Sequence, residues 1–286
     1  MSLGSTAAHA TCLDDYVSKI PIAALNQKPA YSLTPAEARD VIFYLIQQNQ
    51  VTLPPSGGWL PIFDAKCNII PDPLRNPSAS KRIPIVNKIG DAQFPMYTQN
   101  ANRKGTPSIP SILWGQQPRL IVGLARLVAY LNDTNNFRVY HIYTTGIAAV
   151  AKGDHKDGVA IDFAGVRGEN IDTNDSAIYV EDDWGKQPVP GPNDKTVPCL
   201  WPRNAPRTSY RLDQPLTQET PRTLFPRQFF RGVHDFFARE FAGCPGNPIE
   251  SGCAGDRLKH PDYFKSHPGD FGREAHYNHI HAGMNP

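Results

Sequence analysis

Three histidines and one aspartate in this chain have a spacing that suits a metal ion. His155 and Asp162 bracket the segment His-Lys-Asp-Gly-Val-Ala-Ile-Asp, and His279 and His281 form a His-x-His pair near the end of the sequence. Two imidazoles and one carboxylate are a familiar ligand set for catalytic zinc. The four side chains therefore predict a zinc site with one histidine to spare, which could handle protons.

The surrounding residues predict strands that would carry these groups. Asp162 lies in the apolar run 159–164, where a lone charge is costly unless it is paired or bound to metal. His279 and His281 are two residues apart, so on a strand they would share one face. Gly158 would let the backbone turn sharply between His155 and the strand of Asp162. The β-branched and aromatic run 138–146 predicts a further strand just upstream.

The pattern His-x-x-Gly-x-Ala-x-Asp, followed far downstream by His-x-His, resembles the zinc site of the LAS-type metallopeptidases. That family is named for lysostaphin, the D-Ala-D-Ala-cleaving peptidases and sonic hedgehog. The resemblance covers roughly residues 118–284, and Thr145-Gly146 looks like the family's Ser-Gly-type turn. It implies that His155, Asp162 and His281 bind zinc, leave one position for water, and have His279 beside them as proton shuttle or oxyanion stabiliser.

Two departures from the family pattern bear on the substrate and on the general base. The D-Ala-D-Ala-cleaving relatives carry a Glu where this chain has Asn278, so the general base is left open between His279, His276 and Glu274. Relatives that recognise a terminal carboxylate carry an Arg shortly after the Ser-Gly turn, and none follows Thr145-Gly146 here. An endopeptidase fits this pattern better than a dipeptidase.

The function that the resemblance implies is a zinc metallopeptidase that cleaves peptide amides, with bacterial cell-wall peptidoglycan as the expected substrate and binding partner. One alternative is a non-catalytic zinc-binding module of the same fold that recognises carbohydrate or protein. Another is a secreted effector that delivers the same chemistry to a competitor's wall. Histidine pairs are also common on protein surfaces and in cores, so the interpretation that the pattern is a coincidence stays open as well.

Composition excludes several other classes of protein. The chain has 286 residues, 20% of them charged, and a net charge of +2 with Lys and Arg widely spread. No basic cluster marks a nucleic-acid surface, and no apolar run approaches the length of a membrane span. The 28 prolines predict long, irregular loops. Nothing in the sequence indicates the oligomeric state.

The five cysteines include no Cys-x-x-Cys pair, which argues against a thiolate zinc site. Cys244 and Cys253 flank a Gly- and Pro-containing loop that a disulfide could close, the alternative being two unpaired thiols. Met1-Ser2-Leu3-Gly4 lacks the features of a signal peptide and resembles an expression scar joined to a processed chain. We therefore expect a periplasmic or extracellular protein, with a cytoplasmic origin as the alternative.

The expected fold is α+β, with a small antiparallel sheet that carries the zinc site, flanking helices and long proline-rich loops. Helices are predicted over about 34–49, with a Thr34–Glu37 capping box, and over about 118–131 and 226–241. Residues 177–180 predict another strand, and the acidic run 181–183 predicts a solvated turn, the alternative being a hydrogen-bond partner for a ligand histidine. Residues 1–117 are expected to wrap a catalytic domain formed by residues 118–286.

Overall fold

A computed structural model of the chain contains helices and mostly short strands. It describes residues 4–52, 63, 66–67, 83–86, 88–97, 113–134, 137–146, 155, 157–170, 176–184, 186–188, 208–210, 221–244, 257–259 and 278–285. The helices within these residues are α1 (Gly4–Val17), α2 (Ile22–Gln27), a 3₁₀ turn (Ala30–Ser32), α3 (Pro35–Gln47), α4 (Pro118–Thr134), α5 (Val180–Asp183), α6 (Pro221–Phe237) and a π-helical turn (Ala238–Ala242). The strands are β1 (Val51–Thr52), β2 (Ile83–Val86), β3 (Lys88–Ile89), β4 (Leu113–Gln116), β5 (Phe137–Gly146), β6 (Ala160–Asn170), β7 (Ser176–Tyr179), β8 (Lys186–Pro188), β9 (Thr208–Tyr210), β10 (Leu258–Lys259) and β11 (Ile280–Gly283).

An antiparallel sheet forms the centre of the fold. Its strands follow the order β10, β11, β6, β5, and β7 pairs with the far half of β6. The long strand β6 pairs with β11 through Ala160–Phe163 and with β5 over most of its length. The expectation of an α+β fold with a small antiparallel sheet is confirmed at this level.

Helices α4 and α6 cover one face of the sheet with apolar side chains. The α4 residues Leu120, Leu124 and Leu127 are fully buried, as their helical spacing predicts. Phe163 of β6 packs edge-on against Phe237 of α6, with 5.6 Å between ring centroids. Each such fully buried large apolar side chain contributes about 1.5–3 kcal/mol. The opposite face of β6 carries Asp162 and also Ala164, which packs with Tyr97, Tyr143 and Tyr179.

The helix predicted over 226–241 differs from the observed one at both ends. Helix α6 begins at Pro221 and continues through Pro226, where the sequence predicted its first residue. Pro226 lacks a backbone N–H and so removes one hydrogen bond near the start of the helix, but it does not end the helix. After Phe237 the chain makes a π-helical turn and stops at Gly243, which has φ +68°. That left-handed conformation favours glycine, so the C-terminal end is set by residue type.

Helix α3 begins at the capping box that the sequence predicts. The Thr34 hydroxyl accepts from the Glu37 backbone N–H, and the Glu37 carboxylate accepts from the Thr34 N–H. Lys28 also pairs with Glu37, and these contacts lower the pKa of the Glu37 carboxyl to about 2, led by the bond from Lys28. The helix then buries Val41, Ile42 and Leu45 against the core.

Replacing Thr34 by alanine is expected to lower the free energy of unfolding by about 1 kcal/mol, because the first turn of α3 loses its side-chain acceptor. Urea unfolding measures the change. Thr34→Ser keeps the oxygen and should retain most of the stability. Equal losses in both variants would contradict a role for the cap.

The N-terminal third contributes directly to the structure around the sheet. Residues 92–97 run alongside β5 in parallel, with the Ile142 N–H donating to the Gln93 carbonyl over 2.8 Å and the Tyr97 N–H donating to the Thr144 carbonyl over 2.8 Å. Arg126 of α4 also binds the carbonyls of Leu25 and Lys28. The boundary between residues 117 and 118 stays a prediction.

Cys12, Cys67 and Cys244 each form a disulfide bond. Cys12 of α1 is bonded to Cys67, a pair that the sequence analysis did not single out. Cys244 is disulfide-bonded as well, whereas Cys253 lies outside the described residues. The Cys244–Cys253 pairing therefore stays a prediction. Among the described helices, none is both long and apolar enough to cross a membrane.

Candidate metal centre

Asp162 projects from the middle of the sheet, on the face that helices α4 and α6 leave open. It lies on β6, between its apolar neighbours Ile161 and Phe163, which are fully buried on the opposite face. Across one side of β6 it is paired with His281 of β11, and across the other with Gly146 at the end of β5. Directly paired residues share a face, so the register brings His281 to the carboxylate.

The three residues predicted to bind zinc come together around one carboxylate oxygen. Asp162 Oδ1 lies 2.8 Å from His281 Nδ1 and 3.1 Å from His155 Nε2. The ligand atoms of His155, Asp162 and His281 all lie within 4.8 Å of one another. Their side chains are only 12–17% exposed.

The donor set fits a divalent transition metal. Ligands about 2.0–2.1 Å from a tetrahedral zinc lie about 3.4 Å from each other. The separation of 3.1 Å between His155 Nε2 and Asp162 Oδ1 is close to that value, and the 2.8 Å between His281 Nδ1 and Asp162 Oδ1 is shorter, at hydrogen-bond length. Imidazole and carboxylate donors suit zinc and its neighbours better than calcium or magnesium, which prefer oxygen. The group could therefore hold a metal ion.

The electrostatics of Asp162 favour its charged form. Burial alone would raise the pKa of the Asp162 carboxyl. Hydrogen bonds from His155 and His281 and the neighbouring histidine charges together lower this pKa by more than burial raises it, so the net shift is downward. A buried carboxylate of this kind is held ionised by its histidine partners. Asp162 is therefore ready to act as an anionic ligand at neutral pH.

His279 stands beside the three donors without belonging to the closest group. Its Nε2 lies 3.6 Å from Asp162 Oδ1, and its Nδ1 lies 2.8 Å from the side-chain oxygen of Asn278. In the tautomer with the proton on Nδ1, the Asn278 oxygen accepts this hydrogen bond and Nε2 presents a lone pair toward the site. Burial lowers the pKa of His279 to about 4, against the raising effect of the Asp162 charge. The residue precedes β11 rather than lying within it, yet its ring reaches the same face as His281.

The sequence did not indicate that Asn278 contributes to the site. The sequence marked its position only as a departure from the family pattern. It is 7% exposed and holds the His279 ring through the bond to Nδ1. Such partners set the tautomer and orientation of a histidine.

Gly158 makes the turn that carries the chain from His155 to β6. It has φ +69°, in the left-handed region, and its N–H donates to the His155 carbonyl over 3.1 Å. Its own carbonyl accepts from the Gln117 N–H over 2.8 Å, which ties the turn to the start of α4. The tight turn predicted from the sequence is confirmed.

Changing Gly158 to alanine should cost about 1–2 kcal/mol of stability, because a Cβ disfavours the left-handed backbone. We also expect weaker metal retention, since the turn sets the position of His155 relative to Asp162. Thermal unfolding and metal titration measure the two effects. Gly158→Asn should lose less, because asparagine tolerates this conformation better. A larger loss in Gly158→Asn would argue against the conformational explanation.

Other acidic residues and histidines lie elsewhere in the structure or fall outside the described residues. Glu181 was predicted to lie in a solvated turn, and this is wrong: it is 9% exposed and accepts from the Tyr97 hydroxyl over 2.9 Å. The run forms the short helix α5 directly after β7, and the Tyr179 N–H donates to Asp183 Oδ2 over 2.9 Å. His141 lies against Tyr143 on β5, 5.8 Å between ring centroids, and His234 is buried on α6. The alternatives Glu274 and His276 are outside the described residues, as are His260 and His267.

Comparisons with protein-family models, with curated proteins and with solved structures found no match to this chain. The class of site is therefore defined by its own geometry: a partly buried group of two histidines and one carboxylate, with His279 beside it.

Proposed function

We propose that the protein is a zinc-dependent hydrolase of the LAS type that cleaves peptide amide bonds. The observation that carries the proposal is the convergence of His155, Asp162 and His281, with the Nε2 of His279 turned toward the same carboxylate. Three protein ligands leave a coordination position for a reactant, whereas a structural zinc site takes four. The described residues supply three close donors.

The side chains divide into holding and proton-handling groups. Asp162, His155 and His281 would hold the metal, and zinc bound there would supply Lewis-acid chemistry, polarising an amide carbonyl and activating water. His279 would take and return a proton at Nε2, since Asn278 occupies its Nδ1. Asn278 keeps that ring from rotating, which fixes the proton-accepting atom in place.

Peptidoglycan cross-links are the substrate class we propose, in an exported protein acting in the periplasm or outside the cell. The support is the His-x-x-Gly-x-Ala-x-Asp and His-x-His pattern, together with the missing Arg after Thr145-Gly146, which favours internal over terminal peptide bonds. The Cys12–Cys67 disulfide is consistent with maturation in an oxidising compartment.

Elemental analysis of the purified protein, followed by digestion of purified peptidoglycan, tests the proposal. We expect about one zinc per chain and release of peptide fragments that chelator abolishes and added zinc restores. Zinc at that level with no cleavage of peptidoglycan or model peptides would favour the non-catalytic recognition module. Protein that neither holds zinc nor regains it would overturn both.

A further inference from the structure

Strand β5 has an irregularity in its pairing directly opposite Asp162. Thr144 of β5 is paired with Phe163 of β6. The next paired residue of β5 is Gly146, which lies opposite Asp162. Thr145 and Gly146 together therefore oppose a single residue of β6, which is the arrangement of a β-bulge. Bulges redirect side chains, and Thr145 is the residue whose side chain this bulge places beside the metal donors.

The side chain of Thr145 lies on the same face of the sheet as Asp162. Tyr143, two residues before it on β5, packs with Ala164, which is two residues after Asp162 on β6. Residues two apart on a strand share a face, so both strands turn these positions toward the metal centre. Gly146 has no side chain, and the Thr145 hydroxyl is therefore the polar group that β5 provides next to the carboxylate.

The Thr145 hydroxyl is buried and has no hydrogen-bond partner among the described residues. A buried hydroxyl in this state has lost its bonds to water and gained none from the protein, which is unfavourable for folding. Unpaired buried polar groups are rare in native proteins. The hydroxyl therefore points to a bond that forms in another state of the site.

The hydrogen bonds of Asp162 differ between the metal-free and the metal-bound site. In this structure His281 Nδ1 lies 2.8 Å and His155 Nε2 lies 3.1 Å from Asp162 Oδ1. An ionised carboxylate can only accept, so both nitrogens donate to it. The same two nitrogens belong to the donor group for a metal ion, and a ligating imidazole nitrogen carries no hydrogen. Both hydrogen bonds to the carboxylate are therefore lost when the histidines bind an ion.

We propose that Thr145 is a positioning residue of the metal centre, whose hydroxyl donates to the Asp162 carboxylate when His155 and His281 turn to the ion. A threonine hydroxyl changes partner by rotation about its own bonds, without movement of the strand. The new bond fixes the orientation of the carboxylate, as hydrogen bonds to ligand carboxylates do in metal sites generally. The inference rests on the metal binding in the proposed function and is independent of hydrolysis.

Zinc affinity, measured by competition with a chromophoric chelator, tests the role of the hydroxyl. Thr145→Val replaces the hydroxyl by a methyl group and should weaken zinc binding by about 10–100-fold, the usual effect of removing a hydrogen-bond partner of a ligand. Thr145→Ser keeps the hydroxyl and should restore the affinity of the wild type. Thr144→Val is the matched control, because Thr144 is paired with Phe163 on the opposite face, and its zinc affinity should equal that of the wild type.

Thermal unfolding of the metal-free proteins separates this role from a structural one. An unpaired hydroxyl does not stabilise the metal-free fold, so metal-free Thr145→Val should unfold at the wild-type Tm or above it. A lower Tm in metal-free Thr145→Val would mean that the hydroxyl has a structural partner elsewhere in the chain, and this result would overturn the proposal.

The remaining outcomes separate this inference from the assignment of the metal centre. If the wild type binds zinc and Thr145→Val binds it equally well, the role of Thr145 is overturned and the metal centre stands. A loss of affinity in Thr145→Ser or Thr144→Val as large as in Thr145→Val would show that the hydroxyl is not responsible, which also overturns the role. Wild-type protein that holds no zinc would overturn the metal centre itself.

Discussion

Replacing His155 by alanine is expected to remove most of the zinc and to abolish amide hydrolysis. His155 Nε2 is one of three donors within 4.8 Å of one another, and two remaining donors cannot retain the ion against water. We expect zinc well below about one tenth per chain and a loss of hydrolysis on the order of 10³-fold or more. Elemental analysis after gel filtration and a peptidoglycan-release assay measure the two effects.

His141→Ala is the matched control, because His141 lies on the neighbouring strand β5 and packs against Tyr143 rather than Asp162. Its zinc content should equal that of the wild type. If His155→Ala also retains a full equivalent of zinc, the ligand assignment is wrong, whatever the activity.

The His279→Ala variant should keep its zinc and lose hydrolysis by roughly 10²–10⁴-fold, the usual contribution of a positioned proton-transfer group. The reason is its place at the edge of the donor group, 3.6 Å from Asp162 Oδ1, where His155 and His281 already lie closer. Measured kcat should fall far more than zinc occupancy.

Asn278→Ala gives an intermediate case. It frees the His279 ring by removing the acceptor 2.8 Å from Nδ1, so we expect a smaller fall, about 10–100-fold, with zinc unchanged. Zinc loss in His279→Ala would mean that the roles of His279 and His281 have been exchanged. Full zinc with unchanged hydrolysis would remove His279 from the mechanism.

Local patterns in the sequence predicted the elements that local forces determine. The capping box of Thr34 and Glu37 and the apolar spacing of residues 118–131 identify α3 and α4, because side chains a few residues apart decide both. The ligand spacing likewise indicated which residues could meet. The spacing could not show that His281 presents Nδ1 and His155 presents Nε2, since this depends on backbone geometry around the β6–β11 register.

Features that depend on distant parts of the chain were not predictable in this way. The solvated turn predicted for Glu181 was wrong because its hydrogen-bond partner, Tyr97, lies 84 residues away. The Cys12–Cys67 disulfide closes 55 residues, and five cysteines allow many pairings.

The parallel run of residues 92–97 along β5 has a consequence for how the chain can be divided. Without it, the N–H groups of Ile142 and Thr144 would lose the carbonyls of Gln93 and Pro95. A bare outer strand of this kind is a template for pairing with another molecule. A fragment that begins at residue 118 would therefore be prone to aggregate through that edge, even with every metal donor present.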